Sequence, residues 1–331
     1  MNLFMTTLSS YSLNNQTYLL RQRQCDHLVT VHKLVTGGTL GAQTSTGQKW
    51  VNFYDVMVPF VLGGEQYFFG LAKQFINPPP SYYSKAYWII AKLDETGNKE
   101  IIDYDFWEHD YDVGFAYQAD KRLFIYLHSQ ERYSNGTYQY VIYEVLPNGK
   151  MERKPTDKNS WPAFYGATFF FSNGNKEYIF LHTPENNINS SVSPSYTYEL
   201  SKDGRIGKQI SSVTISHNDP IPFPYYFASP YTLNNQQQFV MLVTDPSYIY
   251  YYFNTIDNNG AIIGYDYTWN VNAKLLNINL IVPIENMTPF FIDQKPYIFI
   301  QDQNKDLWSI LTLDFYGDTL YTLNVTDNSN N

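Results

Sequence analysis

Short runs of apolar and aromatic residues alternate with turn residues along the whole chain. One segment shows the pattern clearly: it reads FYDVMVPFVL, QYFFGLA, YWIIAKLD and KEIIDYD, with breaks at Gly63-Gly64, at residues 77–80 and at residues 95–97. Each run has the length of a strand, and turns such as Asn148-Gly149 supply the positive φ that tight hairpins need. No stretch of 12 or more residues shows helical periodicity. The pattern therefore predicts antiparallel strands throughout.

The same pattern recurs about every 55 residues. Within each unit the second run begins with a large apolar residue, and the third run ends in a turn that closes with glycine. The leading residues of the second runs are Tyr18, Tyr67, Leu123, Tyr178, Phe239 and Tyr297. The turn glycines are Gly38, Gly97, Gly149, Gly204, Gly260 and Gly317. Two series of positions with one shared period indicate a repeat architecture.

Six repeats of four strand-like runs predict the fold. Four-stranded antiparallel units that repeat radially form a β-propeller, so the expected fold is all-β, a six-bladed β-propeller in one domain of residues 1–331. The predicted blades are residues 1–45, 46–102, 103–155, 156–210, 211–265 and 266–327. Composition agrees, because aromatics make up 18% of the chain against 16% charged residues, and aromatic side chains suit pleated, half-buried surfaces.

Charge and cysteine content narrow the function classes. The net charge of -9 argues against nucleic acid and anionic membranes as partners, since both are bound largely through Lys and Arg. Cys25 is the single cysteine, so an internal disulfide is impossible and a reducing compartment is favoured. No segment has the length and apolarity of a membrane helix or a classical export signal. We expect a cytoplasmic protein, or one released without a signal peptide, with no membrane insertion.

A shorter phrase, W-x3-Y followed by an apolar run, occurs three times. It reads WVNFYDVMVPF at residues 50–60, WEHDYDVGFAY at 107–117 and WPAFYGATFFF at 161–171. DPIPFPYYF, which begins at Asp219, occupies the same place in the fifth repeat. The phrase has two interpretations. Its aromatics fill the wedge between neighbouring blades, or they rim shallow pockets where a ring stacks on a sugar and a nearby carboxylate accepts hydroxyl protons.

The pocket interpretation names a set of ligand-binding residues. Several weak sites of this kind would gain avidity on a multivalent surface. The set comprises Trp50, Tyr54, Asp55, Trp107, Tyr111, Asp112, Trp161, Tyr165 and Asp219.

The aromatic-rich strand, the glycine-containing turn and the aromatic between blades together resemble the repeats of tachylectin and tectonin propeller lectins. The resemblance covers nearly the whole chain as a pattern, and it transfers no individual ligand residue. It implies a propeller that binds glycans.

Enzymatic chemistry is the competing interpretation. Acidic residues are densest at Asp103, Asp105, Glu108, Asp110 and Asp112, with His109 among them, and such a cluster can hold a cation or provide an acid and base pair. Asp219 is similar in placement to the Asp that opens the first blade of some five-bladed glycoside hydrolases. His128 and His182 end equivalent strands and are expected to bond within their own blades. No nucleophile elbow, phosphate loop or dinucleotide fingerprint occurs, and we expect no cofactor and no metal.

The sequence thus favours a non-catalytic, lectin-like propeller with several weak sites, whose partner is a glycan or glycoprotein surface. A protein-interaction scaffold and a glycoside-hydrolase-like propeller are the alternatives. Three outcomes separate these possibilities. Solvent-facing W-x3-Y rings beside carboxylates favour glycan binding, and full burial of the rings favours a scaffold. Two carboxylates ~5 to 9 Å apart in the central channel favour hydrolysis.

Overall fold

The computed structural model describes residues 6–35, 39–45, 47–73, 86–183, 192–216, 226–233, 236–244, 248–272, 287–292, 295–301, 308–312 and 321–323. These residues form strands and turns, and none of them is helical. A search of the same ranges finds no helix long and apolar enough to cross a membrane. The chain divides into two compact units, of which the first comprises Met1–Ala116, Val145–Glu152 and Glu285–Asn331 and the second Tyr117–Glu144 and Arg153–Ile284.

Three sheets lie in the first unit. One holds β1 (Thr6–Leu13), β2 (Gln16–Arg23), β3 (Leu28–Val35) and β4 (Thr39–Gln43), and β5 (Gln48–Lys49) also pairs with β3. The next holds β6 (Val56–Leu62), β7 (Glu65–Ala72), β8 (Ala86–Leu93) and β9 (Lys99–Trp107). The C-terminal sheet holds β22 (Met287–Ile292), β23 (Lys295–Gln301), β24 (Trp308–Thr312) and β25 (Tyr321–Leu323).

The other three sheets belong wholly or mainly to the second unit. The third sheet holds β10 (Val113–Ala119), β11 (Arg122–Arg132), β12 (Tyr138–Val145) and β13 (Asp157–Trp161). The fourth holds β14 (Ala167–Asn173), β15 (Lys176–His182), β16 (Val192–Leu200) and β17 (Ile206–Ser216). The fifth holds β18 (Tyr226–Leu233), β19 (Gln236–Thr244), β20 (Tyr248–Ile256) and β21 (Ile262–Asn272).

Each sheet is an antiparallel meander in which consecutive strands are neighbours. This order follows from the short turns between the runs, since a tight turn can only join adjacent antiparallel strands. The predicted all-β, propeller-like fold class and its four-stranded antiparallel unit are confirmed.

A stacked aromatic pair joins the first two strands of five sheets. The two rings face each other across the hairpin, with centroids 5.1 to 5.7 Å apart. The pairs are Tyr11–Tyr18, Phe60–Tyr67, Tyr117–Phe124, Phe171–Tyr178 and Phe290–Tyr297. In the fifth sheet Pro230 stands opposite Phe239. The leading residue of the third repeat is therefore Phe124, and the assignment of Leu123 was wrong by one residue, which in a strand moves a side chain to the other face.

The first strands also connect the sheets within each unit. β1 packs against both β6 and β22, and Leu8 and Leu19 share a buried cluster with Phe290 and Phe299. The sheet of β1–β5 therefore packs on the sheet of β22–β25. In the second unit β14 packs against β18, and Phe169 and Phe180 meet Phe239.

The fourth strands extend further than the sequence predicts. The predicted blade ends at residues 102, 210 and 265 fall inside β9, β17 and β21, and Trp107 and Trp161 are the last residues of β9 and β13. The W-x3-Y phrase thus connects one sheet to the next instead of opening an innermost strand. The sequence pattern did not locate the ends of these fourth strands because they are exposed. For example, β9 reads KEIIDYDFW and buries only Asp103.

The turn glycines occupy equivalent positions wherever the structure describes them. Gly97, Gly149, Gly204 and Gly260 have φ between +79° and +82°, and each donates its N–H to the carbonyl three residues earlier. Gly38 and Gly317 lie outside the described residues.

Close packing is the second reason for glycine at these turns. A Cβ built on Gly204 would lie 2.5 Å from the ring of Phe124, and one on Gly260 would overlap the ring of Tyr178. The leading aromatic of one sheet thus packs on the turn glycine of the next sheet. The same relation links Gly149 to Tyr67, whereas Gly97 meets Val31.

Gly204→Ala is expected to lower the free energy of unfolding by ~2 to 4 kcal/mol, because strain at positive φ adds to a clash with Phe124. Gly174→Ala is the matched control, since Gly174 has φ +63° with nothing within 4 Å of its built Cβ. It should show the backbone strain alone, ~1 kcal/mol. Urea unfolding of both variants measures the difference, and equal losses would contradict the packing role of Gly204.

Candidate functional site

The three W-x3-Y phrases form the same edge-to-face ring pair. Trp50–Tyr54, Trp107–Tyr111 and Trp161–Tyr165 have centroids 5.5 to 5.7 Å apart and interplanar angles of 72° to 86°. Five of these aromatics are buried, with relative exposures of 4% for Trp50, 1% for Tyr54, 4% for Tyr111, 7% for Trp161 and 2% for Tyr165. Trp107 is half-buried. A buried ring offers no face to a sugar from solvent, so these five aromatics pack the interior as wedges.

The rings around Trp161 show how the wedge works. Its indole Nε1 donates to Tyr126 Oη at 3.0 Å, and its ring stacks on Tyr140 of its own sheet at 4.9 Å. The indole also contacts Tyr198 of the following sheet, with ring centroids 5.2 Å apart. One Trp thus fills the space between two sheets.

The carboxylates that follow two of the phrases are brought together. Asp55 and Asp112 occupy the same repeat position, directly before β6 and β10. Lys73, which follows β7, contacts both. Its backbone N–H donates to Asp55 Oδ2 at 2.7 Å, and its Nζ forms an ion pair with Asp112 Oδ1. Two acidic residues 57 positions apart (112 minus 55) therefore share one lysine.

Neighbouring sheets fix the backbone that carries Asp55. The Tyr54 N–H donates to Gln22 Oε1 at 3.0 Å, and Thr7 Oγ1 donates to the Tyr54 carbonyl at 2.8 Å. The Gln22 amide also donates to the Asn52 carbonyl at 2.6 Å. Gln22 is fully buried, so these bonds hold the connection against the first sheet with little freedom.

The two carboxylates of the cluster formed by Asp55, Lys73 and Asp112 have different electrostatic surroundings. Burial raises the pKa of Asp55, and the negative charge of Asp112 adds to this rise, while the bond from the Lys73 N–H and the Lys73 charge oppose it. Burial alone would lower the pKa of Lys73, but its hydrogen bond to Asp112 and the charges of Asp112, Asp110 and Asp55 raise the pKa of the ammonium above its ordinary value. The cluster therefore holds a protonatable carboxyl beside an ion-paired one.

Asp103 and Asp105 of the acidic segment do not join this site. Asp103 is buried, and its Oδ2 accepts from the Met151 N–H at 2.9 Å, which is a structural role. Asp105 is exposed and accepts from the N–H of Phe106. The described ranges contain no group of three His, Cys, Asp or Glu placed to hold a metal ion.

The two histidines are buried in equivalent positions. His182 Nδ1 lies 2.8 Å from Ser195 Oγ of its own sheet, as the sequence predicted. The His128 ring packs against Phe164 with centroids 5.1 Å apart. Asp219, the remaining predicted site residue, lies outside the described residues.

Sequence reasoning missed Lys73 and Gln22. Lys73 stands six residues after Tyr67, at the end of a strand whose apolar residues carried the repeat signal, and a lone lysine there has no motif. Gln22 stands four residues after Tyr18, where other repeats have Leu71 or His182. A polar residue at an otherwise buried strand position was the available signal for Gln22.

Comparison with known proteins identifies similar folds and no family. No protein-family model matches the chain, and no curated protein matches it. Among solved structures, 1,3Gal43A, an exo-β-1,3-galactanase from Clostridium thermocellum, is similar with a TM-score of 0.50 and 11% identity, over 88% of this chain and 64% of that one.

Two further solved structures are similar at a lower level. A putative 6-phosphogluconolactonase from Bacteroides uniformis has a TM-score of 0.47 and 12% identity, over 98% of both chains. The GH43_1 enzyme from Xanthomonas citri complexed with xylose has a TM-score of 0.46 and 12% identity, over 82% of this chain and 91% of that one. The galactanase, with a TM-score of 0.50 and 11% identity, shows a shared propeller-like fold and nothing beyond the fold.

The prediction of a non-catalytic, lectin-like protein is wrong. The rings assigned to sugar stacking are largely buried, and the solved structures of similar fold include glycoside hydrolases. The resemblance to tachylectin and tectonin repeats is tested by none of these structures and stays a prediction.

Trp161→Ala is expected to lower the free energy of unfolding by ~3 to 5 kcal/mol, because it empties a buried aromatic site and leaves Tyr126 without its donor. Tyr104→Ala is a suitable control, since Tyr104 is 59% exposed and its loss should change stability by under ~1 kcal/mol. Denaturant unfolding provides both values. A near-native stability for Trp161→Ala would contradict the wedge.

Asp55→Asn is expected to stabilise the protein at pH 7 and to have little effect near pH 4. The pKa of Asp55 is raised in the folded protein, so folding favours its protonated form. This contribution to stability is fully present below the unfolded pKa of ~3.9, and it is lost as pH rises through the folded pKa. Asn stays neutral and keeps an oxygen for the Lys73 N–H. Urea unfolding of wild type and variant at both pH values measures the effect, and a variant less stable than wild type at pH 7 would contradict it.

Proposed function

We propose that this protein is a glycoside-hydrolase-like propeller that cleaves a glycosidic bond with Asp55 and Asp112. One observation carries the proposal: two carboxylates at the same repeat position of consecutive sheets are both held by Lys73. Hydrolysis of a glycosidic bond in most such enzymes needs two carboxyl groups, one that donates a proton and one that acts as base or nucleophile.

The different surroundings of the two groups assign their roles. Burial raises the pKa of Asp55, which makes Asp55 the proton donor to the leaving-group oxygen. Asp112 is ion-paired with Lys73 and is the carboxylate of the pair. In the proposed reaction the bond between the anomeric carbon and the glycosidic oxygen breaks as Asp55 protonates that oxygen. Asp112 takes a proton from the water whose oxygen then bonds to the anomeric carbon.

Lys73 has a positioning role in this scheme. It is one residue with two contacts, a backbone N–H to Asp55 and an ammonium to Asp112, so it fixes the carboxylates relative to each other. Its positive charge also reduces the repulsion between them, which would otherwise oppose two acidic groups in one site.

A neutral glycan is the proposed substrate class. Asp55, Asp112 and the nearby Asp110 outnumber the single Lys73, so the site would repel an anionic substrate. The exo-β-1,3-galactanase of similar fold supports the same class of substrate.

The activity test is a panel of 4-nitrophenyl glycosides together with β-1,3-galactan and xylo-oligosaccharides, with release of nitrophenol and of reducing ends as readouts. Asp55→Asn and Asp112→Asn are each expected to lower kcat/KM by at least ~100-fold on any substrate that wild type cleaves, the usual scale of acid and base catalysis. Asp105→Asn should retain full activity, because Asp105 is exposed and outside the cluster.

The pH profile separates catalysis from mere structural support. With Asp55 as acid, the kcat/KM of wild type falls as pH rises through the pKa of Asp55. In Asp55→Asn this fall in kcat/KM should be absent. The proposal fails if no substrate in the panel is cleaved, or if both Asn variants keep wild-type activity.

A further inference from the structure

Lys99 occupies a position that the other described repeats give to an apolar side chain. It stands two residues after the turn glycine Gly97, and the residues at the same place are Met151, Ile206 and Ile262. Met151 and Ile262 are buried. A lysine in a place built for an apolar side chain is unusual, because an ammonium is costly to bury unless it is paired.

Two aromatic rings of the first W-x3-Y phrase surround the amine. Lys99 Nζ lies 4.6 Å from the ring centroid of Trp50 and 4.8 Å from that of Tyr54, and it donates to Tyr54 Oη at 3.0 Å. The Trp50 indole is itself fixed by its bond to the Gly97 carbonyl at 3.3 Å. The amine is therefore held in one place by rigid neighbours.

The charged and titratable groups nearby do not neutralise this ammonium. Glu100, the next residue, pairs across the sheet with Lys92. Burial raises the pKa of Tyr54, so its hydroxyl remains protonated, and Tyr87 beyond it raises that pKa further. Over the described part of the chain, none of the ion pairs includes Lys99.

Burial lowers the pKa of Lys99 to about 8. Other lysines of the chain differ in this respect. Lys92 pairs with Glu65 at 2.7 Å and Lys176 pairs with Glu199 at 3.0 Å, and these bonds raise the pKa of both ammonium groups. At neutral pH Lys99 thus carries far more of the free amine, the nucleophilic form.

We propose that Lys99, held between Trp50 and Tyr54, is a covalent site for small aldehydes. The nitrogen lone pair adds to the carbonyl carbon, and a proton passes from that nitrogen to the carbonyl oxygen to give a neutral carbinolamine. Loss of that hydroxyl with a proton from nitrogen releases water and leaves an imine, so no oxidant or reductant is needed. Lys99 is half-buried, which lets small carbonyl compounds reach it and restricts large ones.

This inference is independent of the proposed hydrolase. It uses no carboxylate of the Asp55 cluster, and loss of glycosidase activity would leave it unchanged.

The test treats the folded full-length chain with glycolaldehyde and traps the imine with cyanoborohydride, from pH 6 to pH 10. Peptide mass spectrometry then gives the rate of modification at each lysine. At pH 7 Lys99 is expected to react at least ~10-fold faster than Lys92 and Lys176, with a half-maximal rate near pH 8.

Two controls isolate the effect of the fold. In 8 M urea the advantage of Lys99 should disappear, because an unfolded lysine has its ordinary pKa of ~10.4. Lys99→Met, which restores the side chain type of Met151, should remove the modification and keep a native melting temperature. Modification of folded Lys99 no faster than that of Lys92 and Lys176 at pH 7, whether from an ordinary pKa or from lack of access, would overturn the proposal.

Discussion

The contact between a strand aromatic and a turn glycine is the interaction on which the rest of this structure depends. Inside each of five sheets the aromatic stacks on a partner across the first hairpin, as Phe171 does on Tyr178. At three of the four described turns the leading aromatic of one sheet packs on the turn glycine of the next, as Tyr178 does on Gly260. Because a glycine has no Cβ, the ring can approach the backbone directly, and these repeats are thereby joined to their neighbours.

Repetition also explains how a site arises in this fold. The W-x3-Y phrases bury their aromatics to fill space between sheets, and the residue after each Tyr is then placed at the start of a first strand. Two of these residues are aspartates and the third is Gly166, so a position that is purely architectural in one repeat becomes acidic in two others. Lys73 joins the two aspartates, which makes a pair of carboxylates with different surroundings out of one repeated scaffold position.

Lys99 is a second example of one repeat carrying a different residue type at a repeated position. At its position the other described repeats keep an apolar residue, so the scaffold already provides an apolar setting next to the wedge aromatics. In that setting the amine has different chemistry from an exposed lysine, and the fold is unchanged. Repeat proteins allow such exchanges because the neighbouring contacts are supplied many times over along the chain.

The sequence by itself determined the repeat period, the strand content and the glycine turns, since alternation along a strand and positive φ at a turn are local properties. Tertiary structure decided the rest. Whether Trp161 faces solvent depends on Tyr126, Tyr140 and Tyr198, which lie 21 to 37 residues away (161 minus 140 and 198 minus 161).

The candidate site shows the same division. Asp55 and Asp112 could be picked out by their repeat position, but Lys73 became visible only when folding brought it to both of them. Long-range packing also sets how far a charged group is removed from water, and therefore the pKa of Asp55 and of Lys99. Local sequence patterns carry no record of that burial, which is why the chemistry of this protein is decided by its tertiary structure.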